Sequence, residues 1–389
     1  MKKVVLAYSG GLDTSCAIKW LQEQGWDVIC FAADVGQNDD FGPVQERGYA
    51  AGASKVYIKD LKDEFVTDFI LPTLKANAVY EGKYLLGTAL SRPLIAKHLV
   101  AIAHKEKANA VAHGCTGKGN DQVRLEVTIG VLDPDLEIIA PLREWEFSSR
   151  EEEIEYAKTY DIPIDVTKKK PYSIDRNIWG VSIEAGVLED LQQEPPESAY
   201  LVTKGPTGTS TYPRYVEIYF EKGVPKKLDG KAYKLTNLIA HLNQVGGLHG
   251  VGRSDLVENR LVGIKSREIY EAPAATILYA AHKELESLVL DRELSHFKEG
   301  IALKYAELVY YGLWYCGLKD ALDHFVASTQ KNVTGSVKLK LFKGSCTPVA
   351  RKSMKSLYKK ELSTYGKGDK FDQNLAKGFI KIWGMPYKK

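Results

Sequence analysis

A glycine-rich turn close to the amino terminus carries the residue types that bind phosphate. An apolar run from Val4 to Ala7 leads into Ser9-Gly10-Gly11, and Asp13-Thr14-Ser15 then opens a predicted helix. The two glycines permit positive φ angles and place no Cβ atom in the way, so backbone N–H groups close on an anion that also meets the positive end of the helix dipole. Hydroxyl groups add further donors, and Thr14 or Ser15 is expected to cap the helix. The alternative is a turn that forms only a tight corner.

A second glycine-rich loop, His113 to Arg124, follows a short predicted strand. Three glycines within six residues make a pliable loop whose amides approach a ligand closely. After them, Asn120 offers an amide donor and acceptor, Asp121 takes an ammonium group, and Arg124 forks onto a carboxylate or a polarised carbonyl oxygen. This set suits a zwitterion, whereas the alternative is a solvated turn with incidental charges.

Strands and helices alternate through the first part of the chain, and this alternation must position both loops. Helices are predicted over 14–24, 44–51, 65–76 and 93–105, and strands over 4–7, 28–33, 55–58 and 110–112. Such alternation indicates a parallel sheet with helices on both faces, in which ligands bind beyond the carboxyl ends of the strands. Ser9 and Ala33 both lie at such ends.

The pattern changes after a predicted helix that Ser149 and Glu152 begin as a capping box. Lys168 to Pro171 marks a connection, Tyr215 to Phe220 alternates as a half-buried antiparallel strand does, and helical stripes run from Ile277 to Leu288 and from Ile301 to Leu313. The predicted fold class is therefore α/β, with a Rossmann-like parallel-sheet nucleotide-binding domain over 1–165, an α+β synthetase domain over 166–352 and a C-terminal oligomerisation arm over 353–389.

Composition restricts the function classes further. The chain has 389 residues, no Gly-x-x-x-x-Gly-Lys-Ser/Thr motif and a net charge of only +3, which argues against a P-loop NTPase and against dependence on nucleic acid. Its five cysteines form no Cys-x-x-Cys pair, so neither a zinc site nor a disulfide framework is implied. No apolar stretch is long enough to span a bilayer. We expect a soluble, cytoplasmic protein with small ligands.

The first loop resembles the pyrophosphate loop of the ATP pyrophosphatase superfamily, whose members cleave ATP to AMP and pyrophosphate. Four strings together resemble the argininosuccinate synthase family, and the resemblance extends across essentially the whole chain. These strings are Ala7-Tyr-Ser-Gly-Gly-Leu-Asp-Thr-Ser15, Tyr84-Leu-Leu-Gly-Thr88, Thr116-Gly-Lys-Gly-Asn-Asp-Gln-Val-Arg124 and Tyr172-Ser-Ile-Asp-Arg-Asn-Ile-Trp-Gly180.

The resemblance implies a ligase of arginine biosynthesis that joins L-citrulline to L-aspartate through a citrullyl adenylate, with ATP as co-substrate and Mg²⁺ bound with it. It also implies a homotetramer. A ureido oxygen is a poor leaving group, so its transfer onto the α-phosphorus of ATP explains the need for the nucleotide. Catalysis of this kind rests on positioning and charge stabilisation.

The resemblance also assigns residues. ATP contacts are implied for Ala7, Tyr8, Ser9, Gly10, Gly11, Leu12, Asp13, Thr14, Ser15, Ala33 and Gly114. Aspartate contacts are implied for Thr116, Asn120 and Asp121. Citrulline contacts are implied for Tyr84, Asn120, Arg124, Ser173, Ser182, Glu258 and Tyr270. Among these residues, Asp13, Asp121 and Arg124 are the expected catalytic ones, and no metal held by the protein alone is expected.

Individual residues also have plainer interpretations. Tyr84 and Tyr270 could be core aromatics, and Ser173 and Ser182 could be caps or turn residues. Ala89 stands where some relatives have a serine near citrulline, so only its backbone could serve there.

Two rival functions share the first loop. An amidotransferase would need an amino-terminal cysteine where this chain has Lys2, and a nucleotide-binding sensor would not need Asn120, Asp121, Arg124 and Glu258 together. The carboxyl-terminal segment, with Phe379, Ile380, Ile382 and Trp383, is expected either to dock on another subunit or to fold back on its own domain.

Overall fold

The computed structural model describes residues 2–147, 149–163 and 172–388. Its first half is built on a parallel sheet with the strand order β3-β2-β1-β4-β5. The strands are β1 (Lys2–Ala7), β2 (Trp26–Asp34), β3 (Lys55–Asp60), β4 (Ala110–His113) and β5 (Glu137–Ile139). The predicted parallel sheet is confirmed. The predicted connection at 168–171 and the domain boundary at 165/166 lie outside the described residues.

Helices cover both faces of this sheet. They are α1 (Leu12–Glu23), α2 (Phe41–Ala50), α3 (Lys62–Glu64), α4 (Leu71–Ala76), α5 (Gly87–Glu106), α6 (Asn120–Leu132), α7 (Pro141–Glu144) and α8 (Arg150–Thr159), with a π-helical segment, Phe65–Ile70, between α3 and α4. Successive residues of β1 serve opposite cores, because side chains alternate along a strand. Val4 and Leu6 pack in the cluster that includes α1, and Val5 packs in the cluster that includes α5.

Three helices begin earlier than predicted: α1 at Leu12, α2 at Phe41 and α5 at Gly87, and two of these starts have a clear physical reason. Helix α1 begins at Leu12 with Gly11 as a cap that makes no side-chain bond, so Thr14 and Ser15 lie inside its first turn and the predicted cap is wrong. Helix α5 begins at Gly87, six residues before Pro93. The Tyr84 hydroxyl accepts hydrogen bonds from the N–H groups of residues 88 and 89, which satisfies the helix start and makes a proline there unnecessary.

The second half contains two antiparallel sheets, with the orders β11-β12-β7-β6 and β10-β9-β8-β13-β14. The strands are β6 (Ser173–Asn177), β7 (Gly180–Glu184), β8 (Arg214–Glu221), β9 (Val224–Leu228), β10 (Lys231–Ala232), β11 (Arg253–Asn259), β12 (Lys265–Glu271), β13 (Gly335–Phe342) and β14 (Ser345–Lys352). The helices are α9 (Leu235–Leu248), α10 (Pro273–Val289), α11 (Arg292–Tyr310), α12 (Gly317–Thr329), α13 (Lys360–Ser363) and α14 (Leu375–Trp383). Short 3₁₀ segments cover Gly186–Glu189, Glu197–Ala199, Gln330–Asn332 and Met385–Tyr387.

The turn between β6 and β7 ties the first four-stranded sheet to the start of α5. The Asn177 side chain donates to the Gly87 carbonyl over 2.9 Å, and the fully buried Trp179 indole donates to the Leu85 carbonyl over 2.9 Å. Two of the four family-like strings therefore contact each other directly. This contact brings β6 and β7 against the helix that follows Tyr84.

The carboxyl-terminal segment contacts its own domain at its start, but its later residues stay exposed. The Leu357 N–H donates to the Leu288 carbonyl over 2.7 Å, and the Ser353 hydroxyl donates to the Thr334 carbonyl over 2.6 Å. None of residues 354–388 is buried, and Phe379 and Ile382 on α14 are 62% and 70% exposed. Of the two expectations for this segment, folding back is wrong for these later residues. Elsewhere in the described part of the chain, no helix combines the length and the apolar composition that a bilayer crossing requires.

Candidate functional site

The turn after β1 has the geometry of an anion site. Gly10 has a φ of +76°, and Gly11 precedes α1 in an extended conformation. The Ser9 hydroxyl accepts from the Gly11 N–H over 3.3 Å and shares a 3.1 Å hydrogen bond with the Thr14 hydroxyl. Because no side chain caps α1, the N–H groups of its first turn remain directed at the space in front of the helix.

The other residues expected around ATP converge on the same sheet edge. Ala7 pairs with His113 in the register of β1 and β4, and Ala33 lies near the end of the neighbouring strand β2. A Cβ atom on Gly114 would lie only 2.8 Å from the Thr14 side chain, so the second loop starts in contact with the first. Tyr8 is buried, and its hydroxyl lies 3.3 Å from that of Ser15.

The second glycine-rich loop is held by hydrogen bonds with two side chains, His113 and Gln122, to which the sequence analysis gave no role. The His113 imidazole accepts at Nδ1 from the Cys115 N–H over 3.2 Å, so its Nε2–H donates to Glu126 over 2.9 Å. Gln122 donates to the carbonyls of Gly117 and Gly119 over 2.6 and 3.2 Å. The loop therefore has a defined shape and delivers the start of α6 into a pocket.

This pocket encloses about 470 Å³ and is lined mostly by polar and charged side chains. Eight of the residues expected around citrulline and aspartate line it: Tyr84, Asn120, Asp121, Arg124, Ser173, Ser182, Glu258 and Tyr270. Six further residues complete the lining: Thr88, Gly119, Asp175, Glu184, Arg260 and Glu268. Thr116 is exposed in the preceding loop and is not part of this lining.

Glu258 is the most deeply buried carboxyl group of the pocket, with 2% exposure. It accepts hydrogen bonds from the Tyr310 hydroxyl over 2.5 Å and from the Tyr270 hydroxyl. Burial, followed by the nearby charge of Glu268, raises the pKa of Glu258 to about 7, although the tyrosine bonds oppose this rise. Among the described residues, no cation is in hydrogen-bond contact with the Glu258 carboxylate. The ammonium group of a ligand would therefore stabilise the charged form of Glu258 by placing a positive charge beside it.

Glu268 was not predicted, and it shares the Tyr270 hydroxyl with Glu258. Its carboxylate lies 2.8 Å from that hydroxyl and also accepts from Arg260 over 2.9 Å. A single hydroxyl hydrogen satisfies only one of the two carboxylates, and each has a further donor, Tyr310 for Glu258 and Arg260 for Glu268.

Asp121 joins two arginines at the opposite wall. It accepts from Arg92 over 2.7 Å and from Arg124 over 2.8 Å. Burial alone would raise the pKa of Asp121, but the two guanidinium charges overcome this effect and hold the pKa at about 2. Asp175 also accepts from Arg92, yet burial dominates there and raises its pKa. Asp121 is thus a permanent anion that fixes two cations.

Arg124 is oriented on several sides. Its Nε donates to the Tyr310 carbonyl over 2.9 Å, and its guanidinium lies 4.7 Å from the centre of the Tyr310 ring. Asn120 is also engaged, since it donates to the Tyr310 hydroxyl over 2.8 Å and accepts from the Leu261 N–H over 2.9 Å. A ligand bond to the Asn120 side chain would have to share or replace one of these bonds.

The two tyrosines are both core aromatics and pocket residues, whereas the two serines are pocket residues that do not serve as caps or turn residues. Tyr84 and Tyr270 are buried and stacked with ring centres 4.3 Å apart, while both also line the pocket. Ser173 and Ser182 lie in strands β6 and β7 rather than in turns or caps, and the Ser182 hydroxyl is 2.9 Å from that of Thr88.

Comparisons with known proteins cover the whole chain. Residues 3–163 match the family described as "Arginosuccinate synthase N-terminal HUP domain", and residues 172–389 match the "Arginosuccinate synthase C-terminal domain". The chain is similar to the argininosuccinate synthase of Pelotomaculum thermopropionicum, with 56% identity over 100% of this chain and 97% of that protein. It is 58% identical to those of Caldanaerobacter subterraneus and Bacillus licheniformis, over 100% of this chain and 95% and 96% of those proteins.

Proposed function

Because this chain belongs to the argininosuccinate synthase family, we infer that it catalyses the ATP-dependent condensation of L-citrulline with L-aspartate. The products are argininosuccinate, AMP and pyrophosphate. The citrulline ureido oxygen attacks the α-phosphorus and pyrophosphate leaves; the aspartate amine then attacks the ureido carbon, and AMP leaves with that oxygen. The enzyme is a ligase that forms a C–N bond.

One observation supports a reaction between a nucleotide and an amino acid above the others. The loop from Gly114 to Gly119 contacts the phosphate turn at Thr14 with its first residue and lines the charged pocket with its last. A nucleotide bound at the turn and an amino acid bound in the pocket would therefore lie close together, separated by the length of one short loop. Proximity of this kind converts the encounter of three substrates into a positioned reaction.

We assign the ends of the pocket to different substrate groups. Glu258 faces the citrulline ammonium group, the hydroxyls of Ser173, Ser182 and Tyr270 hold its polar ends, and Arg124 stabilises charge on the oxygen that is transferred. Asp121 and Asn120, together with Thr116 on the preceding loop, form the aspartate side. The hydrogen bonds support this division, because Glu258 and Glu268 share the Tyr270 hydroxyl, whereas Asp121 is paired separately with Arg92 and Arg124.

The experiment that tests the function follows pyrophosphate release from ATP. We expect release only with citrulline present, and argininosuccinate only when aspartate is added. With ¹⁸O in the ureido group of citrulline, the label should appear in AMP. Turnover of ATP without citrulline, or unlabelled AMP, would contradict the proposal, and binding of ATP without any turnover would favour a nucleotide sensor.

The residues at the phosphate turn fit a magnesium ion bound with ATP. The carboxyl groups of Asp13 and Glu153 lie side by side, and Glu153 Oε2 is buried without a hydrogen-bond partner among the described residues. Burial, followed by the charge of Asp13, raises the pKa of Glu153 to about 8. Carboxylate oxygens suit Mg²⁺, which would neutralise phosphate charge when bound. We propose that Asp13 holds this ion with the nucleotide.

Asp13→Asn is expected to reduce turnover at saturating ATP by about 10- to 100-fold, because the amide removes a charge that orients Mg²⁺. The free Mg²⁺ concentration that gives half-maximal activity should rise as well. Asp161→Asn, at an exposed position after α8, is the matched control and should behave as the wild type. An unchanged Mg²⁺ dependence in Asp13→Asn would exclude this role.

We propose a homotetramer in which the segment over 353–389 serves as the oligomerisation arm, beside a nucleotide-binding domain over 1–165 and a synthetase domain over 166–352. The exposed apolar side chains of α14 support this use of the arm. A cytoplasmic location is also proposed, which the five free cysteines favour.

A double substitution, Phe379→Ser with Ile382→Ser, is expected to lower the mass in solution from about four times 43.3 kDa to smaller species, because it removes apolar contact area from the arm. Light scattering after size exclusion gives this mass directly. Lys381→Ser on the same helix is the control, and an unchanged mass in the double variant would contradict the role of the arm.

A further inference from the structure

We propose that Arg47 of α2 binds the β- and γ-phosphates of ATP on the amino-terminal turn and stabilises the pyrophosphate that leaves. The inference rests on the proposed function, because it adds a ligand to the phosphate side of that reaction. Arg47 is not among the residues that the sequence analysis assigned to ATP. It reaches the turn because α2 packs against it.

The packing of α2 places the Arg47 side chain against the phosphate turn. A Cβ atom built on Gly10 would lie 3.1 Å from Arg47 Nη2 and 3.1 Å from both methyl groups of Val44. The backbone of Gly10 is therefore in contact distance of the guanidinium, and its φ of +76° keeps a side chain out of the gap. The guanidinium also lies beside the buried Tyr8 hydroxyl, where it opposes the rise in the pKa of Tyr8 that burial causes.

The guanidinium lacks the counter-ion that other arginines of this protein have. Arg47 Nε is buried and has no hydrogen-bond partner among the described residues, and no carboxylate of those residues forms an ion pair with Arg47. By contrast, Arg92 and Arg260 each contact two carboxylates, and Arg124 contacts one. Arg47 is thus a partly buried cation without a carboxylate partner beside an anion-binding turn, and an incoming phosphate would supply the missing negative charge.

The chemistry of the group matches the leaving pyrophosphate. Arginine presents planar N–H donors that bind two phosphate oxygens at once. In the proposed adenylation, the bond between the α-phosphorus and the bridging oxygen breaks, and its electron pair stays on the departing β-phosphate as negative charge. A cation at the glycine turn stabilises that charge as it develops, so Arg47 acts on the chemical step as well as on ATP binding.

The test measures pyrophosphate itself, apart from activity. Inorganic pyrophosphate with Mg²⁺ should raise the melting temperature of the wild type, and this shift should be lost in Arg47→Met. Product inhibition by pyrophosphate should weaken about 10- to 100-fold, and kcat/KM for ATP should fall by a similar factor, as expected for loss of a charged phosphate contact. Inhibition by AMP and the KM for citrulline should change by no more than about two-fold, because neither ligand occupies that phosphate position.

Arg292→Met, at an exposed arginine of α11, is the matched control and should keep every wild-type value. If Arg47→Met does not fold, Arg47→Gln is measured with the same expectations. A full pyrophosphate shift in a folded Arg47 variant would overturn the assignment, even though the wild type makes argininosuccinate. Absence of argininosuccinate synthesis by the wild type would instead overturn the proposed function.

Discussion

Glu258→Gln is expected to lower kcat/KM for citrulline by roughly 30- to 1,000-fold, which corresponds to about 2–4 kcal/mol for removal of one partner of a buried charge pair. The side chain is 2% exposed, and two tyrosine hydroxyls donate to it, so it is held in one orientation. Glutamine keeps the size of the group but cannot pair with an ammonium charge. The KM for ATP should stay within about two-fold, because the proposed phosphate turn lies at the other end of the loop.

The same residue predicts a pH dependence of citrulline binding. The carboxylate is the form that pairs with ammonium, and burial together with the charge of Glu268 raises the pKa of Glu258 to about 7, while Arg124, Tyr270 and Tyr310 also face it. As pH falls from 8 to 6, protonation therefore competes with citrulline and its KM rises, approaching about ten-fold per pH unit below the pKa. Glu258→Gln should lose this dependence.

The control for Glu258→Gln is Glu217→Gln, which changes an exposed glutamate on β8 in the other antiparallel sheet. It should retain both the wild-type KM and its pH dependence. A citrulline KM that rises equally on acidification in wild type and Glu258→Gln would show that another group binds the ammonium.

Asp121→Asn is expected to reduce kcat by about 100-fold, because the amide removes the negative charge that holds Arg92 and Arg124 in place, and a misplaced Arg124 stabilises less of the developing oxygen charge. Arg124 would lose its carboxylate, while Arg92 would keep only Asp175. The orientation of the Arg124 guanidinium toward the pocket would then relax. Steady-state kinetics with each substrate varied separately measures the effect.

Asp133→Asn tests the same chemical change at the other end of α6, where the side chain contacts His104. It should leave kcat unchanged. Asp121→Asn should also show a larger loss in kcat than in the KM for ATP, and a variant that loses only ATP affinity would contradict the arrangement of the arginine pair.

Several lining residues of the pocket can be predicted from the sequence by applying strand periodicity to the residues that the family resemblance assigned. Side chains two positions apart lie on one face of a strand. Three of the charged lining residues that were missed stand two positions from a predicted one in the same strand: Asp175 from Ser173, Glu184 from Ser182 and Glu268 from Tyr270. Recognition of β6, β7 and β12 as strands would have identified these three, whereas Arg260 lies one residue beyond the end of β11.

Other site residues depend on tertiary packing that no local pattern encodes. Tyr310 is the last residue of α11, yet its hydroxyl reaches Asn120 and Glu258 from more than 50 residues away in the chain. Arg47 is separated from Gly10 in the chain by helix α1, strand β2 and the first part of α2. The start of α5 was misplaced for a related reason, because a tyrosine hydroxyl satisfies its first N–H groups in place of a recognisable cap.

The hydrogen bonds from Asn177 and Trp179 to the segment before α5 have a consequence for how the enzyme receives its amino-acid substrates. These hydrogen bonds join the strands and the helix that form the walls of the pocket, and they form when the polypeptide folds. The conformational entropy of the walls is therefore lost on folding, and ordering them does not reduce the free energy of substrate binding. Citrulline thus enters a preorganised receptor, and its interaction free energy remains available for aligning the ureido oxygen.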